Sequence, residues 1–326
     1  MRQAGRYMPE YRALRKDYTI LELIKTPELA AEVTLQPVKA FDVDAAIIFA
    51  DILTLPEAMG LELEFIENLG PVFHNPIRSE ADVSKLKPVD PSESLRFTME
   101  AIENTVKELD GRLPLIGFSG APFTLASYAI RGSSREDLTR VKQWMYAFPE
   151  AWHRLMNTLS EAVILYLSAQ AKAGADALQL FDSWVGILSP QDYREYVQPH
   201  MQLISDTIRS ETSVPLIHFG TDTAGLLPMI SALGFDVIGL DWRVPLKDAW
   251  KILGAKTAIQ GNLDPAVLLA SHSVIRRQAA LIIDGVRGRS GHIFNLGHGV
   301  IKDTPTEHVS ALVEFVHDYS KCNASS

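Results

Sequence analysis

Apolar residues in this chain fall into short continuous runs, each followed by an amphipathic stretch of helical length. The runs cover residues 45–50, 113–118, 177–181, 214–219, 237–240, 257–259 and 292–296. Continuous apolar runs, as opposed to alternating ones, fit parallel strands buried on both faces. The intervening segments carry helix signals. Leu155, Leu159, Val163 and Leu167 recur on one helical face. Ser189-Pro190-Gln191-Asp192 supplies a cap, a proline at the first helical position and an early acid. Asp264-Pro265 predicts a second such start, and Thr304-Pro305-Thr306-Glu307 a capping box. Gly234 and Gly254 sit where C-terminal caps belong.

Repeated strand-then-helix implies a parallel sheet, doubly wound or closed into a barrel. Two features favour one barrel domain over residues 1–326. The length suits a barrel. Nearly every strand also ends in polar residues: Asp51, Ser119, Asp182-Ser183, His218, Asp241, Asn262 and His298. A barrel gathers all its strand ends at one mouth, whereas a doubly wound sheet concentrates ligand residues at a switch point. An eighth strand has no clear signal. Residues 63–76 read as a hairpin on the barrel or as part of it.

Composition narrows the function classes. The net charge of −9 argues against nucleic acid as the main partner. No apolar run reaches the ~18 residues of a membrane span, and the start lacks the apolar core of a secretion signal. The single cysteine, Cys322, excludes a disulfide framework and thiolate-rich metal sites. These features predict a cytoplasmic protein. An acidic chain that binds a polyanion needs a local cluster of arginines.

Five segments carry candidate chemistry. Arg2-Gln3-Ala4-Gly5-Arg6 places two guanidiniums around a glycine, able to converge on carboxylates; spacing alone is a weak signal and favours a solvated basic terminus. The strand at 46–50 ends in Asp51, suited to stabilising a cation, to capping the next helix or to a barrel salt bridge. Gly117-Phe118-Ser119-Gly120 opens a helix bearing Tyr128 but lacks dinucleotide spacing, and Tyr128 fits the mouth or the core. Ser183 has no nucleophile-elbow glycines around it and reads as a hydrogen-bonding residue. His298, flanked by Gly297 and Gly299, permits close backbone approach to a ligand. His and Cys spacings are wrong for zinc, so no metal is expected.

Taken together, RQAGRYMPEYR, AAIIFADI, GFSGAPFTLASY, ALQLFDSW and NLGHG, with GLDW and QGNLDP, resemble the uroporphyrinogen decarboxylase family from Met1 to near Tyr319. The resemblance implies a (β/α)8 TIM barrel, commonly a homodimer, whose cleft takes uroporphyrinogen III and shortens its acetate arms to methyl groups without a cofactor. It implies that residues 1–15 form an active-site loop, with Arg2, Gln3, Ala4, Gly5 and Arg6 handling substrate. Asp51 would accept hydrogen bonds from pyrrole N–H groups, and Tyr128, Ser183 and His298 would complete the contacts. Catalysis would fall to Asp51, Arg2, Arg6 and Tyr128. Family members carry a further segment before the arginine loop, so native residues are expected upstream of Met1. Competing readings are a corrinoid-linked or zinc-dependent methyltransferase on the same barrel, which would need His and Cys at strand ends, a non-catalytic tetrapyrrole-binding barrel, and a barrel aldolase or isomerase. The last would show a strand-end lysine or a phosphate loop.

Overall fold

The structure, a computed structural model, describes residues 2–133 and 137–324. Its nine strands are β1 (Ala46–Ile47), β2 (Leu63–Ile66), β3 (Gly70–Phe73), β4 (Leu115–Gly120), β5 (Ala177–Asp182), β6 (Leu216–Gly220), β7 (Val237–Leu240), β8 (Ala258–Leu263) and β9 (His292–Leu296). Seven of them form one parallel sheet in the order β1-β4-β5-β6-β7-β8-β9. All seven apolar runs are strands of it. Helices follow the strands, and the sheet curls until residues beyond β1 and beyond β9 line the same cleft. Residues 63–76 resolve as a separate antiparallel hairpin of β2 and β3, outside the barrel sheet.

The strand that ends at Asp51 is much shorter than its apolar run. After Ile48 the backbone leaves the sheet, and the Phe49 N–H donates to Thr34 Oγ1 at 2.8 Å. Its departure leaves Phe118 on β4 without a strand partner on the side that faces β1. The side-chain amide of Gln170, on the long helix Pro149–Lys172, takes that place: it accepts from Phe118 N–H and donates to Phe118 C=O, both at 2.8 Å. Gly117 makes room for this, since a Cβ there would stand 2.5 Å from Gln170 Oε1.

A second amide completes the other edge of β1. Gln3 Nε2 donates to Ala45 C=O at 2.7 Å, and Gln3 Oε1 accepts from Ile47 N–H at 3.1 Å. Those are the groups a neighbouring strand would pair. The N-terminal segment thus occupies the seam of the barrel, where the chain shows no eighth strand among its described residues. Ala4, Tyr7, Met8 and Tyr11 pack there with Leu263, Leu296 and Leu312. Of the segment expected as a loop over 1–15, the described residues, from Arg2 on, form a turn followed by the helix Pro9–Asp17.

Other local signals fare unequally. Ser189 forms its capping box with Asp192, and Gly254 ends its helix with φ +76°. Asp264 caps as expected, accepting from Ala266 N–H, but starts only a 3-10 turn, and the following helix begins at His272. Thr304 forms no capping box: its buried hydroxyl has no partner among the described residues, and the last helix starts at Thr306.

Candidate active site

An open cleft with an empty volume of about 840 Å³ lies at the C-terminal ends of the strands. Its walls are apolar: Ile47, Ile48, Phe49 and Ile52 on one side, Phe118 and Phe181 on the other. Phe118, Phe181 and Phe219, on three consecutive strands, meet edge to face at 5.3 and 5.9 Å. Polar groups are few: Arg2, Gln3, Asp51, Ser183 and His298. A greasy cleft with a small number of convergent polar groups is the usual form of a small-molecule site.

Asp51 stands where the chain has just left β1. Its Oδ1 accepts from Leu53 N–H at 2.8 Å, and its main-chain oxygen accepts from Thr54 Oγ1 at 2.8 Å. Asp51 is therefore an N-terminal anchor for the next turn and a cleft residue at once, and its second oxygen remains for a ligand. Burial among the apolar walls pushes its pKa up to about 6, against the opposing pull of the Leu53 N–H and of Arg2.

Around it, Arg2 is exposed at the rim beside Gly299, where an added Cβ would lie 3.2 Å from its Nε. His298 shares the rim, its ring edge-on to Phe219 at 6.5 Å. Partial desolvation of the ring, then the charge of Arg2, lower its pKa from the usual imidazole value, which favours the neutral ring. Ser183 lines the cleft directly after β5. Tyr128, on the helix Pro122–Arg131, is half-buried with its ring edge-on to Trp184 at 6.0 Å. Its phenol is raised above the ordinary value, first by burial and then by the charge of Asp51.

Not every expected residue reaches the cleft wall. Gly5, Arg6 and Tyr128 stand behind or beside it, with Arg6 exposed. Gln3 lines the cleft, but both ends of its amide are occupied by β1. Among the polar strand ends, Ser119, Asp182, His218, Asp241 and Asn262 are buried off the cleft wall. Asp182 accepts from Thr124 Oγ1 at 2.8 Å, and Asn262 Nδ2 donates to Asp241 C=O at 2.7 Å. Neighbouring strand residues point to opposite faces, so a run of polar residues at a strand end cannot all look inward. In the sequence the aromatic trio appears only as part of three apolar runs. Its signal, a phenylalanine near the end of each of three consecutive strands, becomes legible only with the strand register.

The family model described as Uroporphyrinogen decarboxylase (URO-D) matches residues 1–319. A uroporphyrinogen decarboxylase of Roseiflexus sp. is 54% identical over 324 residues, covering 98% of this chain and 93% of the relative. Those of Chloroflexus aurantiacus and Thermus thermophilus are 56% and 54% identical, each over 98% of this chain and over 90% and 92% of their own lengths. Among solved structures, a methyltransferase from Methanosarcina mazei superposes with a TM-score of 0.77 at 21% identity, covering 91% of this chain and 87% of its own. A B12-independent methionine synthase from Shewanella gives 0.60 at 12% identity, with 93% and 91% covered. Those two likenesses speak to the barrel fold alone. The match along nearly the whole length, at more than half of all positions identical, means that this chain belongs to the uroporphyrinogen decarboxylase family.

Proposed function

We propose that the protein removes the acetate carboxyl groups of uroporphyrinogen III in turn, leaving methyl groups and giving coproporphyrinogen III, as a carboxy-lyase of tetrapyrrole biosynthesis. The observation that carries this reading is the Asp51 carboxylate in an otherwise apolar cleft, its pKa raised to about 6 and one oxygen unpaired among the described residues. An acceptor held in such a place gains most from N–H donors and from positive charge developing beside it.

Loss of CO2 from an acetate arm needs a destination for the electron pair of the breaking C–C bond. A proton added to the adjacent pyrrole carbon makes an iminium-like ring, which takes that pair and leaves an exocyclic methylene. A second proton converts the methylene to methyl, and the ring carbon then returns the first. Each arm thus consumes one proton and releases one CO2. The ring itself is the electron sink, so the reaction requires no cofactor. Asp51 accepts from the pyrrole N–H groups and offsets the cationic ring. Arg2 and Arg6 hold substrate carboxylates. Ser183, neutral His298 and Tyr128 orient the macrocycle, while Gln3, Ala4 and Gly5 shape the loop that presents Arg2.

The protein works as a homodimer in the cytoplasm, in line with its family resemblance. Anaerobic incubation with uroporphyrinogen III, followed by oxidation and separation of products by carboxyl number, tests the activity. Stepwise shortening is expected, and an unshortened substrate would refute the reading. Sedimentation tests the dimer, a monomer mass at micromolar concentration being the contrary result.

A further inference from the structure

Beyond the reading above, on which it rests, a further arginine is held in place next to the segment that brings His298 to the cleft. After β7 the chain runs Asp241-Trp242-Arg243. Asp241 is only 1% exposed, and its carboxylate is taken up by this turn and by the loop after β6. It accepts from Asp222 N–H at 2.7 Å, from Arg243 N–H at 3.0 Å and from Arg243 Nη1. The Arg243 guanidinium also lies over the Trp242 ring, 4.4 Å from its centre. Despite both restraints, the Arg243 side chain is 45% exposed and the Trp242 residue 38% exposed. Arg243 Nε and Nη2 have no hydrogen-bond partner among the described residues.

The turn lies against the site. Gly297, the residue before His298, packs on it so closely that a Cβ there would stand 2.6 Å from Trp242 N. The Arg243 charge also contributes, after burial and Arg2, to the lowered pKa of His298. An unrestrained surface arginine would lose ~2 kcal/mol of rotamer entropy when it grips a ligand. Here stacking and the buried carboxylate have already fixed the side chain, the condition that makes an arginine an efficient carboxylate receptor.

We propose that Arg243, held on Trp242 by Asp241 beside the segment that carries His298, is an outer subsite that receives a carboxylate arm of the polycarboxylate tetrapyrrole. Its class of ligand is a carboxylate carried on a macrocycle, with the arm bound by the free face of the guanidinium. The subsite serves binding and orientation, and the decarboxylating centre remains at Asp51.

Arg243→Gln and Trp242→Leu test it. Two readouts are needed: anaerobic kinetics with uroporphyrinogen III, and binding of uroporphyrin, the oxidised octacarboxylate, followed by its fluorescence. We expect Arg243→Gln to raise both KM and the uroporphyrin Kd by about tenfold, more than it lowers kcat, for the loss of one charge-assisted bond. The Kd of the variant should also depend less steeply on salt. Trp242→Leu, which keeps the charge but frees the side chain, should fall between the two. Unchanged KM and Kd in Arg243→Gln, with wild type turning over normally, would overturn the subsite and leave the parent reading intact. Wild type that binds uroporphyrin more tightly than the variant but shortens no arm would support the subsite and sink the decarboxylase reading. A fall to monomer mass in either variant would reassign the turn to a subunit contact and likewise overturn the proposal.

Discussion

Replacing Asp51 by asparagine should stabilise the fold while disabling the site. The Asn Oδ1 keeps the bond from Leu53 N–H, so the local turn survives. What changes is the charge. The folded pKa of about 6 lies above the ordinary 3.8, so the folded protein binds the proton more tightly than the unfolded chain does. Ionisation therefore costs stability in full above pH ~6, less as pH falls from there, and nothing below pH ~4. A difference of about 2 pKa units corresponds to about 3 kcal/mol. At an unfolding entropy of ~2.1 cal/mol/K per residue, that shifts Tm upward by about 4 °C at pH 8. Denaturant and thermal unfolding of both proteins at pH 8 and pH 4.5 would measure it, and the gap should shrink at the acid end. In the turnover assay the same variant should lose on the order of 10²–10³ in rate, since its amide now points N–H donors at N–H donors. A variant no more stable than wild type at pH 8, or a gap that persists unchanged at pH 4.5, would refute the buried-charge account. Near-normal turnover would refute the catalytic one.

The same carboxylate sets the pH dependence: kcat/KM should fall as pH drops through about 6, because protonated Asp51 cannot accept from pyrrole N–H groups; a flat profile down to pH 5 would contradict this. Gln3→Leu leaves Ala45 C=O and Ile47 N–H without partners, so amide exchange at Ile47 should accelerate and KM rise about tenfold, for ~1–2 kcal/mol of lost bonding. Unaltered Ile47 protection would argue against the seam contact. Gly297→Ala drives a Cβ to 2.6 Å from Trp242 N, which must part the two loops and displace His298; kcat/KM should drop at least about tenfold, and wild-type kinetics would show the loops tolerate it.

Much of the framework could be read from residue order, because parallel strands buried on both faces announce themselves as unbroken apolar runs. Val237–Leu240 and His292–Leu296 match their runs end to end. The failures share one cause: they depend on partners distant in sequence. The run over 45–50 gives only two residues of strand, since Thr34 and Gln170 take over hydrogen bonds a strand would have made. No local pattern marks a glutamine as a strand substitute, so the seam filled by Gln3 was invisible too. At the cleft, Asp51, Ser183 and His298 were identifiable as strand-end polar residues, and all three line it. Asp182 looked equivalent to Ser183 beside it, and only the pleat sends it under Thr124 instead. Arg243 carried no signal, because its restraint depends on how Asp241 and Trp242 fold around it.

The patch that Gln170 makes on β4 also constrains how this sequence can drift. Gly117 and Gln170 are far apart in the chain but behave as one choice, since any Cβ at 117 would collide with Gln170 Oε1 at 2.5 Å. Losing the glutamine in turn strands the Phe118 N–H and C=O in the interior, at a cost of ~1–3 kcal/mol for each buried group left unpaired. Neither position can change first without passing through a weakened protein. A descendant that abandons the pair must lengthen the first strand to reclaim Phe118, and that would push the chain bearing Asp51 back into the sheet.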